Sequence, residues 1–502
     1  MILGDAPGLG SALEAALSTD RIAVCQLIPA GRNRIAGGHR YEVDVSSAEA
    51  IRQVHESIAG SEGKTVGAIV NLLGISAEDG KPACDLSSQP LEPALGLLKV
   101  IQEFEADLRL SAKRGGGWLF NFTTLDGKFG LSGRGPLPVA QAALVGMCKV
   151  VHREWPELWV KNIDLDRRMD PHMMLSLVAE EMECDDGLVE VGICENARWR
   201  IALCDAPLGN EAANRLEMDG ESVVLATGGA YGITAEVLKQ LARAAAPKLV
   251  LVGRSRLPGP EPAALRDLAD AGSLRRHLIE VMRREDPGVL PAQVENRVQR
   301  ILKDRQMRAN IAAMQAAGSA VEYHALDVRN HEEFGDFLDS VYARHGRLDG
   351  VIHAAGIIED GLISRKTGES FARVFGTKVD PAVVLANKLR LADLRFLVFF
   401  SSISARFGNA GQVDYAAANE YLNKLATHLG GQTPGRVVAI NWGPWEGGMI
   451  SDSLRRLYQS KGIHLISMEQ GARFFVEELK RGRPGEPEVI AACGIGAMVD
   501  AG

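Results

Sequence analysis

Runs of consecutive apolar residues recur along the second half of the chain, separated by polar turns that contain glycine. These runs are apolar throughout instead of alternating with polar residues, which is typical of strands buried on both faces. A longer segment, 235–244, has the spacing of a helix and follows the first run. The pattern therefore predicts a parallel sheet covered by helices on both faces. Its strands are expected at 222–226, 248–252, 323–328, 348–356, 394–402 and 436–442.

The first half of the chain repeats this order of elements. Asp44 precedes Gly74 by 30 residues, and the corresponding Asp327 precedes Gly356 by 29. An ordered series of such matches indicates an internal duplication. We therefore expect an α/β protein with two tandem Rossmann-like parallel-sheet subdomains, the first a degenerate copy of the second. The matching strands of the first copy are expected at 2–10, 41–45, 66–74, 118–124 and 160–164.

A stretch with proline, glycine and asparagine, 206–221, separates the two copies and is expected to contain the domain boundary. The predicted subdomains are 1–212, structural and without catalytic function, and 213–502, which is catalytic. The second copy carries an insertion at about 258–318, where apolar residues at helical spacing predict two helices, broken by Pro287 and Pro291. We expect a surface helical hairpin packed on the core, and a docking or dimer surface is the alternative.

Composition narrows the classes of function. The chain has 502 residues, of which 46% are hydrophobic and 24% charged, and its net charge is -8. This balance argues against nucleic-acid binding, which needs a basic surface. No apolar run approaches the roughly 18 residues of a membrane span, and no signal peptide is visible. Seven cysteines without a CxxC pair suggest neither a disulfide framework nor a metal site. We expect a cytoplasmic protein with no metal, no membrane partner and no nucleic-acid partner.

A glycine-rich turn follows the first predicted strand of the second copy. It is Thr227-Gly228-Gly229-Ala230-Tyr231-Gly232, and a predicted helix leaves it. Gly228 permits the tight turn, and Gly232 lets the backbone approach a pyrophosphate at the helix N-terminus. Glycine clusters alone are common in loops, but the strand–turn–helix context predicts a dinucleotide site.

The end of the second strand predicts which dinucleotide is bound. An NAD site would place an acidic residue about 20 residues past the turn, to hold the ribose 2′-hydroxyl. Arg254 instead lies 22 residues after Gly232, with no acid beside it. A guanidinium suits a 2′-phosphate, so NADPH is the expected cofactor; the alternative is an ordinary surface arginine. We expect Asp327-Val328 to lie near the adenine and Ala354-Ala355-Gly356 to lie beneath the adenosine ribose. We expect no catalytic role for His353.

Four residues farther along form the candidate catalytic set. Tyr415 follows Ser402 by thirteen residues, Asn419 follows Tyr415 by four, and Lys378 precedes Ser402 by 24. Reduction of a ketone needs a hydride donor and an acid for the developing alkoxide. Tyr415 can give the proton, Ser402 can orient the carbonyl, and Lys378 with Asn419 can supply positive charge and a proton relay.

These residues carry a family resemblance. Six segments resemble those of polyketide synthase ketoreductase domains. They are Thr-Gly-Gly-Ala-Tyr-Gly-Ile (227–233), His-Ala-Ala-Gly (353–356), Phe-Gly-Thr-Lys-Val (375–379), Phe-Phe-Ser-Ser-Ile-Ser-Ala (399–405), Asp-Tyr-Ala-Ala-Ala-Asn (414–419) and Asn-Trp-Gly-Pro-Trp (441–445). These domains are a branch of the short-chain dehydrogenase/reductase superfamily. Asn419 stands four residues after the tyrosine, where most short-chain dehydrogenases carry lysine, and Lys378 lies before the serine, as in these ketoreductases. The inactive first copy is similar to the family's structural subdomain.

The resemblance implies an NADPH-dependent reduction of a β-ketoacyl thioester held on an acyl carrier protein, together with other synthase domains. The insertion resembles ketoreductases of polyunsaturated-fatty-acid, iterative or acyltransferase-less (trans-acyltransferase) synthases. For stereocontrol, Ile358-Glu359-Asp360 keeps the last acid of the family's Leu-Asp-Asp, and Phe407 replaces the tryptophan of L-specific members. The D (3R) product is therefore expected. The implied cofactor contacts are Thr227, Gly228, Gly229, Tyr231, Gly232, Ile233, Arg254, Ser255, Asp327, Val328, Ala354, Ala355, Gly356, Lys378 and Tyr415.

Two other classes of protein remain as alternatives. A non-catalytic scaffold lobe of a synthase would have no need of all four catalytic residues. An epimerase-like enzyme acting on nucleotide sugars would carry lysine where Asn419 stands. The first copy is expected to bind no nucleotide, because Thr123-Thr124 replaces Ser401-Ser402, no tyrosine follows, and Asp5 and Pro7 flank its turn. Acyl chain length and oligomeric state are not predicted.

Overall fold

The computed structural model describes most of the chain. The described residues are 1–4, 9–18, 23–31, 34–35, 39–62, 65–75, 90–133, 135–195, 197–209, 216–447, 456, 460, 462–483 and 485–494. Asp5 and Pro7 lie outside this set, as does the predicted boundary at 212/213, which stays a prediction.

The first lobe is built on a mainly parallel sheet with the order β3-β4-β2-β1-β5-β6-β7-β8-β9. The two edge strands, β3 and β9, pair antiparallel with their neighbours. Within the described residues the strands are β1 (Ile2–Leu3), β2 (Gln26–Pro29), β3 (Arg34–Ile35), β4 (Arg40–Val43), β5 (Ala68–Asn71), β6 (Trp118–Thr123), β7 (Trp159–Leu165), β8 (Glu190–Cys194) and β9 (Ala197–Trp199).

The second lobe has a fully parallel sheet with the order β12-β11-β10-β13-β14-β15-β16. Its strands are β10 (Val223–Thr227), β11 (Lys248–Gly253), β12 (Val321–Ala325), β13 (Gly350–His353), β14 (Phe396–Ser402), β15 (Arg436–Trp442) and β16 (Glu488–Ala491). Apart from the antiparallel edges, the two lobes share one strand order. The predicted α/β fold with two Rossmann-like sheets is therefore confirmed.

Some details differ from the predicted elements. The strand expected at 323–328 is Val321–Ala325, so Asp327 and Val328 follow the strand instead of ending it. Backbone pairing with Gly253 decides this register, and apolarity alone cannot show it. The two edge strands of the first lobe escaped prediction because each has only two or three residues. Strands β2, β8 and β16 were also not predicted.

Helices cover both sheets. Those of the first lobe are α1 (Leu9–Leu17), α2 (Ala48–Glu62), α3 (Leu91–Glu103), α4 (Glu105–Ala112), α5 (Ala142–Glu154) and α6 (Pro171–Glu183). Those of the second lobe are α7 (Gly232–Ala245), α8 (Ala263–Arg266), α9 (Ala271–Glu285), α10 (Pro291–Ala316), α11 (His331–His345), α12 (Gly368–Lys388), α13 (Ile403–Phe407), α14 (Val413–Gly430) and α15 (Met468–Arg481). Short 3-10 turns occur at Val139–Gln141, Ile363–Arg365 and Leu391–Asp393.

The predicted insertion contains α8, α9 and α10. Helices α9 and α10 share a small apolar cluster that includes Leu274 and Val298. Farther along α10, Met307 and Met314 belong to the core of the second lobe. The insertion is thus anchored on the core of the second lobe by its longest helix.

The two lobes meet through α5 and α14. One continuous hydrophobic cluster runs from the first lobe into the second and includes residues of both helices. A Cβ added to Gly146 of α5 would lie 2.6 Å from the carbonyl oxygen of Ala416 and 2.9 Å from Cα of Ala417. Glycine at this crossing therefore lets the two backbones touch, directly beside Tyr415. Among the described residues, no helix has the length and apolarity needed to cross a membrane.

Candidate active site

The candidate site lies at the carboxyl edge of the second sheet. Strand β13 lies between β10 and β14, and Thr227 is directly opposite His353 in the ladder. In doubly wound folds, ligands bind in the crevice at this edge, where the order of the strands reverses. The glycine turn after β10, the Ala-Ala-Gly segment after β13 and Ser402 at the end of β14 all lie there.

The glycine turn has the conformation of a phosphate-binding turn. Gly228 and Gly232 have φ of 75° and 63°, which favour glycine. Helix α7 begins at Gly232, and its N-cap residue, Tyr231, makes no side-chain cap. The first backbone N–H groups of α7 therefore remain available to an anion, as a dinucleotide pyrophosphate requires.

Gly229 has a role in helix–sheet packing that the sequence analysis did not predict. A Cβ at this position would lie 2.8 Å from Cδ1 of Leu238 on α7 and 3.1 Å from Cδ2 of Leu251 on β11. The close packing of helix on sheet thus depends on Gly229 itself.

A chain of hydrogen bonds joins the end of β10 to Lys378. The Thr227 hydroxyl accepts from the backbone N–H groups of Ala354 and Ala355, each at 3.1 Å. It therefore donates to His353 Nδ1 at 3.0 Å, and His353 Nε2–H donates to the carbonyl of Lys378 at 2.8 Å. Burial and then the Lys378 charge lower the pKa of His353 to about 3, so the ring stays neutral. His353 positions Lys378, which the sequence analysis missed; its place directly before Ala-Ala-Gly was the available signal.

Lys378 of α12 points into the crevice between β13 and β14. Its Nζ donates to the carbonyl of Phe400 at 2.7 Å and lies 5.4 Å from the centre of the Tyr415 ring. Gly356 makes room for it, because a Cβ there would lie 3.0 Å from Cε of Lys378. Burial lowers the pKa of the Lys378 amine to about 7.

Ser402 is a helix N-cap as well as a predicted catalytic residue. It is the N-cap of α13, and its Oγ accepts from Ser404 N at 3.2 Å. The Ser404 hydroxyl donates to the same oxygen at 3.0 Å. Because two donors face the Ser402 oxygen, its own hydrogen is left to be donated to a substrate carbonyl. Sequence reasoning did not identify Ser404 as this partner.

Tyr415 and Asn419 lie one turn apart on α14. Asn419 Nδ2 donates to the Tyr415 carbonyl at 2.8 Å, and the Asn419 carbonyl accepts from Ser401 Oγ at 3.2 Å. Asn419 is fully buried, and among the described residues its Oδ1 has no hydrogen-bond partner. An acceptor in this position suits a proton-relaying water beside Lys378.

The residues expected around the adenosine lie farther along the same edge. Arg254 is exposed and lies close enough to Asp327 to lower the pKa of that carboxyl, although the main cause is the hydrogen bond from Arg329. The Ser255 carbonyl accepts from Tyr323 at 2.6 Å, and its hydroxyl accepts from Lys303 at 3.3 Å. The structure thus gathers Arg254, Ser255 and Asp327 near one another. Ile233 is in the first turn of α7, and Val328 is buried.

The two expected stereocontrol residues flank the segment before Tyr415. Asp360 is exposed, and its Oδ1 accepts from Gln412 Nε2 at 3.1 Å. Phe407 is the last residue of α13, and its carbonyl accepts from Arg153 Nε of the first lobe at 2.8 Å. Asp360 thus contacts the loop that precedes Tyr415, and Phe407 ends the helix before that loop.

One group of potential metal ligands occurs among the described residues. Glu181, Cys184 and Asp186 have donor atoms within 4.8 Å of one another. Lys161 contacts Glu181 at 2.5 Å, and Arg198 pairs with both carboxylates. The two carboxylates are thus already engaged by cations, far along the chain from the candidate active site.

Four features occur together here: a serine at the end of β14, a tyrosine on α14, a buried lysine, and a helix N-terminus after a glycine turn. This combination is typical of nicotinamide-dependent oxidoreductases of the short-chain dehydrogenase type. The comparisons with known proteins narrow this class. Residues 222–447 match the KR domain family. Over 398 residues the chain is 32% identical to a polyunsaturated fatty acid synthase polypeptide of Thraustochytrium sp. (strain ATCC 26185 / S-3), covering 76% of this chain and 14% of that protein.

Mellein synthase of Phaeosphaeria nodorum (strain SN15 / ATCC MYA-4574 / FGSC 10173) is 28% identical over 357 residues, covering 70% of this chain and 18% of the synthase. A solved N-terminal ketoreductase from the macrolactin assembly line shares the fold with a TM-score of 0.71 at 19% identity, covering 99% of this chain and 87% of that one.

Residues 222–447 thus form a ketoreductase (KR) domain, and the chain is similar over most of its length to polyunsaturated-fatty-acid and polyketide-type synthases and shares the fold of a solved ketoreductase. The match to the KR family assigns ketoreduction, an oxidoreductase activity, to residues 222–447. It spans less than a fifth of the length of these two curated relatives, which are large synthases.

Proposed function

We propose that this chain reduces the β-keto group of a β-ketoacyl thioester carried on an acyl carrier protein, using NADPH, and forms the D (3R) β-hydroxyacyl thioester. The observation that carries the proposal is the position of Lys378, whose Nζ contacts both the Phe400 carbonyl near the end of β14 and the Tyr415 ring. Ser402 ends the same strand, and the neighbouring Ser401 donates to the carbonyl of Asn419. A scaffold lobe would have no use for this arrangement.

Each residue has a defined task in the reduction. Ser402 donates a hydrogen bond to the substrate carbonyl and holds it in place, which favours the charge that develops on the oxygen. Tyr415 gives its phenolic proton to that oxygen as the new C–H bond forms. Lys378 in its ammonium form stabilises the phenolate that results, and Asn419 Oδ1 orients a water that returns the proton.

NADPH fits the residues at the cofactor edge. Gly228, Gly232 and the first turn of α7 would hold the pyrophosphate, and Arg254 would pair with the 2′-phosphate. When bound, NADPH supplies the hydride that the carbonyl carbon receives. The absence of an acidic side chain at the end of β11 supports NADPH over NADH.

The acyl carrier protein and the other synthase domains are proposed from the relatives, which are synthases much longer than this chain. The polyunsaturated-fatty-acid synthase among them favours that type of assembly. The D product is proposed because Asp360 is retained and Phe407 replaces the tryptophan of L-specific domains.

A direct test is reduction of the N-acetylcysteamine thioester of a short β-keto acid by the purified chain. Loss of reduced nicotinamide absorbance gives the rate, and chiral chromatography gives the product. We expect turnover with NADPH, much slower turnover with NADH, and mainly the 3R product. No turnover with either cofactor would reject ketoreduction by this chain, and a mainly 3S product would reject the stereochemical part alone.

A further inference from the structure

Helix α5 of the first lobe makes hydrogen bonds to backbone groups of the second lobe near the candidate active site. Lys149 Nζ donates to the carbonyl of Ala405 at 2.9 Å, and Arg153 Nε donates to that of Phe407 at 2.8 Å. At the end of the helix, Glu154 accepts from Gly411 N at 2.7 Å and from Ile363 N at 2.8 Å. A helix that carries none of the catalytic residues thus binds three segments around Tyr415.

Glu154 is the contact that joins two of these segments. One is the loop 357–363, which carries Asp360, and the other is the loop 408–412 directly before Tyr415. The loops also touch each other, because Gly361 N donates to Gly411 O at 2.9 Å and Gln412 pairs with Asp360. One carboxylate, with one oxygen for each loop, therefore fixes their separation.

A neighbouring side chain of the first lobe reinforces this clamp. Gln102 Nε2 donates to the carbonyls of Ile363 and Lys366, at 2.6 and 2.8 Å. Burial raises the pKa of Glu154, and the N–H groups of Gly411 and Ile363 act in the opposite direction. The carboxylate is half-buried, so its loss would leave two backbone donors without their acceptor.

We infer that Glu154 is a positioning residue of the first lobe that sets the stereochemical outcome, by holding the Asp360 loop and the Tyr415 loop at a fixed distance across the substrate entrance. This inference rests on the proposed ketoreduction. It gives the first lobe a part in selectivity, in addition to the burial of apolar surface. The ligand concerned is the β-ketoacyl thioester, since neither loop belongs to the cofactor turn.

The experiment compares Glu154→Gln and Glu154→Ala with Glu157→Gln in the full chain. Glu157 is three residues beyond Glu154 and pairs with Arg109 inside the first lobe at 2.7 Å, so it is a matched control. KM and kcat for the thioester, the ratio of 3R to 3S product, the Kd for NADPH and the melting temperature are measured for each variant.

We expect Glu154→Ala to raise KM at least about five-fold, consistent with the loss of charge-assisted hydrogen bonds, and to give readily measured amounts of the minor stereoisomer. Glu154→Gln keeps one acceptor oxygen and should give a smaller change in the same direction. The Kd for NADPH and the behaviour of Glu157→Gln should match the parent. If Glu154→Ala does not fold, the product ratio of Glu154→Gln decides.

An unchanged product ratio in the folded variants would overturn the inference, even if their melting temperatures fall, because that result describes a purely structural contact. Failure of the proposed function itself would be distinguishable, since the parent chain would then show no NADPH-dependent turnover.

A separate observation concerns the insertion. Helix α10 is fixed against the glycine turn, because Asn310 is buried and its Nδ2 donates to the carbonyl of Ala230 at 3.2 Å. Two turns earlier, Lys303 Nζ lies 3.3 Å from Ser255 Oγ and 5.7 Å from the centre of the Tyr231 ring. The insertion thereby brings a cation to Ser255, the residue that follows Arg254.

We propose that Lys303 is a second cation for the 2′-phosphate of NADPH, so that the insertion contributes to cofactor selectivity. Tyr323 holds the Ser255 carbonyl at 2.6 Å, which fixes the loop that both cations border. A phosphate carrying about two negative charges can pair with both. This proposal also rests on the proposed function.

The probes are adenosine 2′,5′-bisphosphate and adenosine 5′-monophosphate, which differ only in the 2′-phosphate. Calorimetric titration of Lys303→Gln should show affinity for the bisphosphate reduced roughly two- to five-fold, as for an exposed ion pair, with the monophosphate unchanged. Arg284→Gln, which removes an exposed cation from α9, is the control and should match the parent.

Equal losses for both probes, or no loss for either, would overturn the assignment of Lys303. A parent chain that binds the two probes equally well would instead reject the proposed use of NADPH.

Discussion

The two lobes follow the same chain path, but the carboxyl edges of their two sheets are built differently. Thr123 lies opposite Asp164 in the first ladder, as Ser401 lies opposite Asn441 in the second. The buried Asp164 carboxylate accepts from Thr123 Oγ1 and from the N–H groups of Leu125 and Phe129, at 2.7 to 2.8 Å. The loop that contains Leu125 and Phe129 is thus held against the carboxyl edge of the first sheet. The corresponding edge of the second sheet carries the candidate active site.

The same contrast holds deeper in the sheet. Asn71 occupies the register position of His353, and Leu3 occupies that of Thr227. Asn71 donates to Asn121 at 2.7 Å, and Asn121 donates to Asn162 at 2.8 Å. A ladder of amides therefore replaces the Thr227–His353–Lys378 chain. The difference teaches that a duplicated fold keeps its function only where a few side chains at strand ends are kept.

The largest expected effect belongs to the residue that has no counterpart in the first lobe. Tyr415→Phe removes only the phenolic proton, so kcat should fall about 10²–10⁴-fold, the usual contribution of general acid catalysis, while the Kd for NADPH stays the same. Steady-state kinetics and cofactor titration measure both. Tyr421→Phe is the control, because Tyr421 is on the same helix but buried in the core. Near-parental turnover of Tyr415→Phe would remove tyrosine from the proposed mechanism.

Next in size is the effect of pH through Lys378. Burial holds the pKa of Lys378 at about 7, so its ammonium form is present below that pH and is lost as pH rises through it. We expect kcat/KM for reduction to fall about ten-fold per pH unit above the apparent pKa. In Lys378→Arg the charge persists, and the falling limb should move to higher pH. Identical profiles of the two proteins would separate Lys378 from the pH dependence.

A smaller effect is expected at the cofactor edge. Arg254→Ala should raise the KM for NADPH about ten-fold or more, because a charge-assisted hydrogen bond contributes on the order of 1.5–3 kcal/mol. NADH lacks the 2′-phosphate and is an internal control, so its KM should hardly change. Equal increases for the two cofactors would show that Arg254 supports the fold and does not contact the phosphate.

The smallest effect on activity is expected in the first lobe. Asp164→Asn introduces at the carboxyl edge of the first sheet the residue type found at position 441. An asparagine amide has one acceptor oxygen, so it cannot replace a carboxylate that accepts hydrogen bonds on both oxygens. We expect a loss of about 2 kcal/mol of stability, measured by denaturant unfolding, with unchanged turnover per folded molecule. Asp185→Asn, at an exposed position, is the control. Full stability of Asp164→Asn would mean that this carboxylate does not close the edge.

Much of the fold of the two lobes and of the candidate active site was predictable from the sequence. Continuous apolar runs indicated both parallel sheets, and the spacing of Ser402, Tyr415 and Asn419 pointed to one reaction. Gly229 was predicted only as a cofactor contact, and Ser404 and Glu154 were not identified, because the roles of these residues depend on neighbours distant in the sequence or on the local fold. Glu154 illustrates the reason: its two partners lie 209 and 257 residues away, and no local pattern marks them.

The most direct test of the comparison is titration of the intact chain with NADPH by isothermal calorimetry, with Tyr415→Phe measured alongside to exclude turnover of contaminants. We predict one site per chain for both proteins, located in the second lobe, so that Arg254→Ala weakens that single site. A stoichiometry of two would contradict the claim that the first lobe has closed its nucleotide edge.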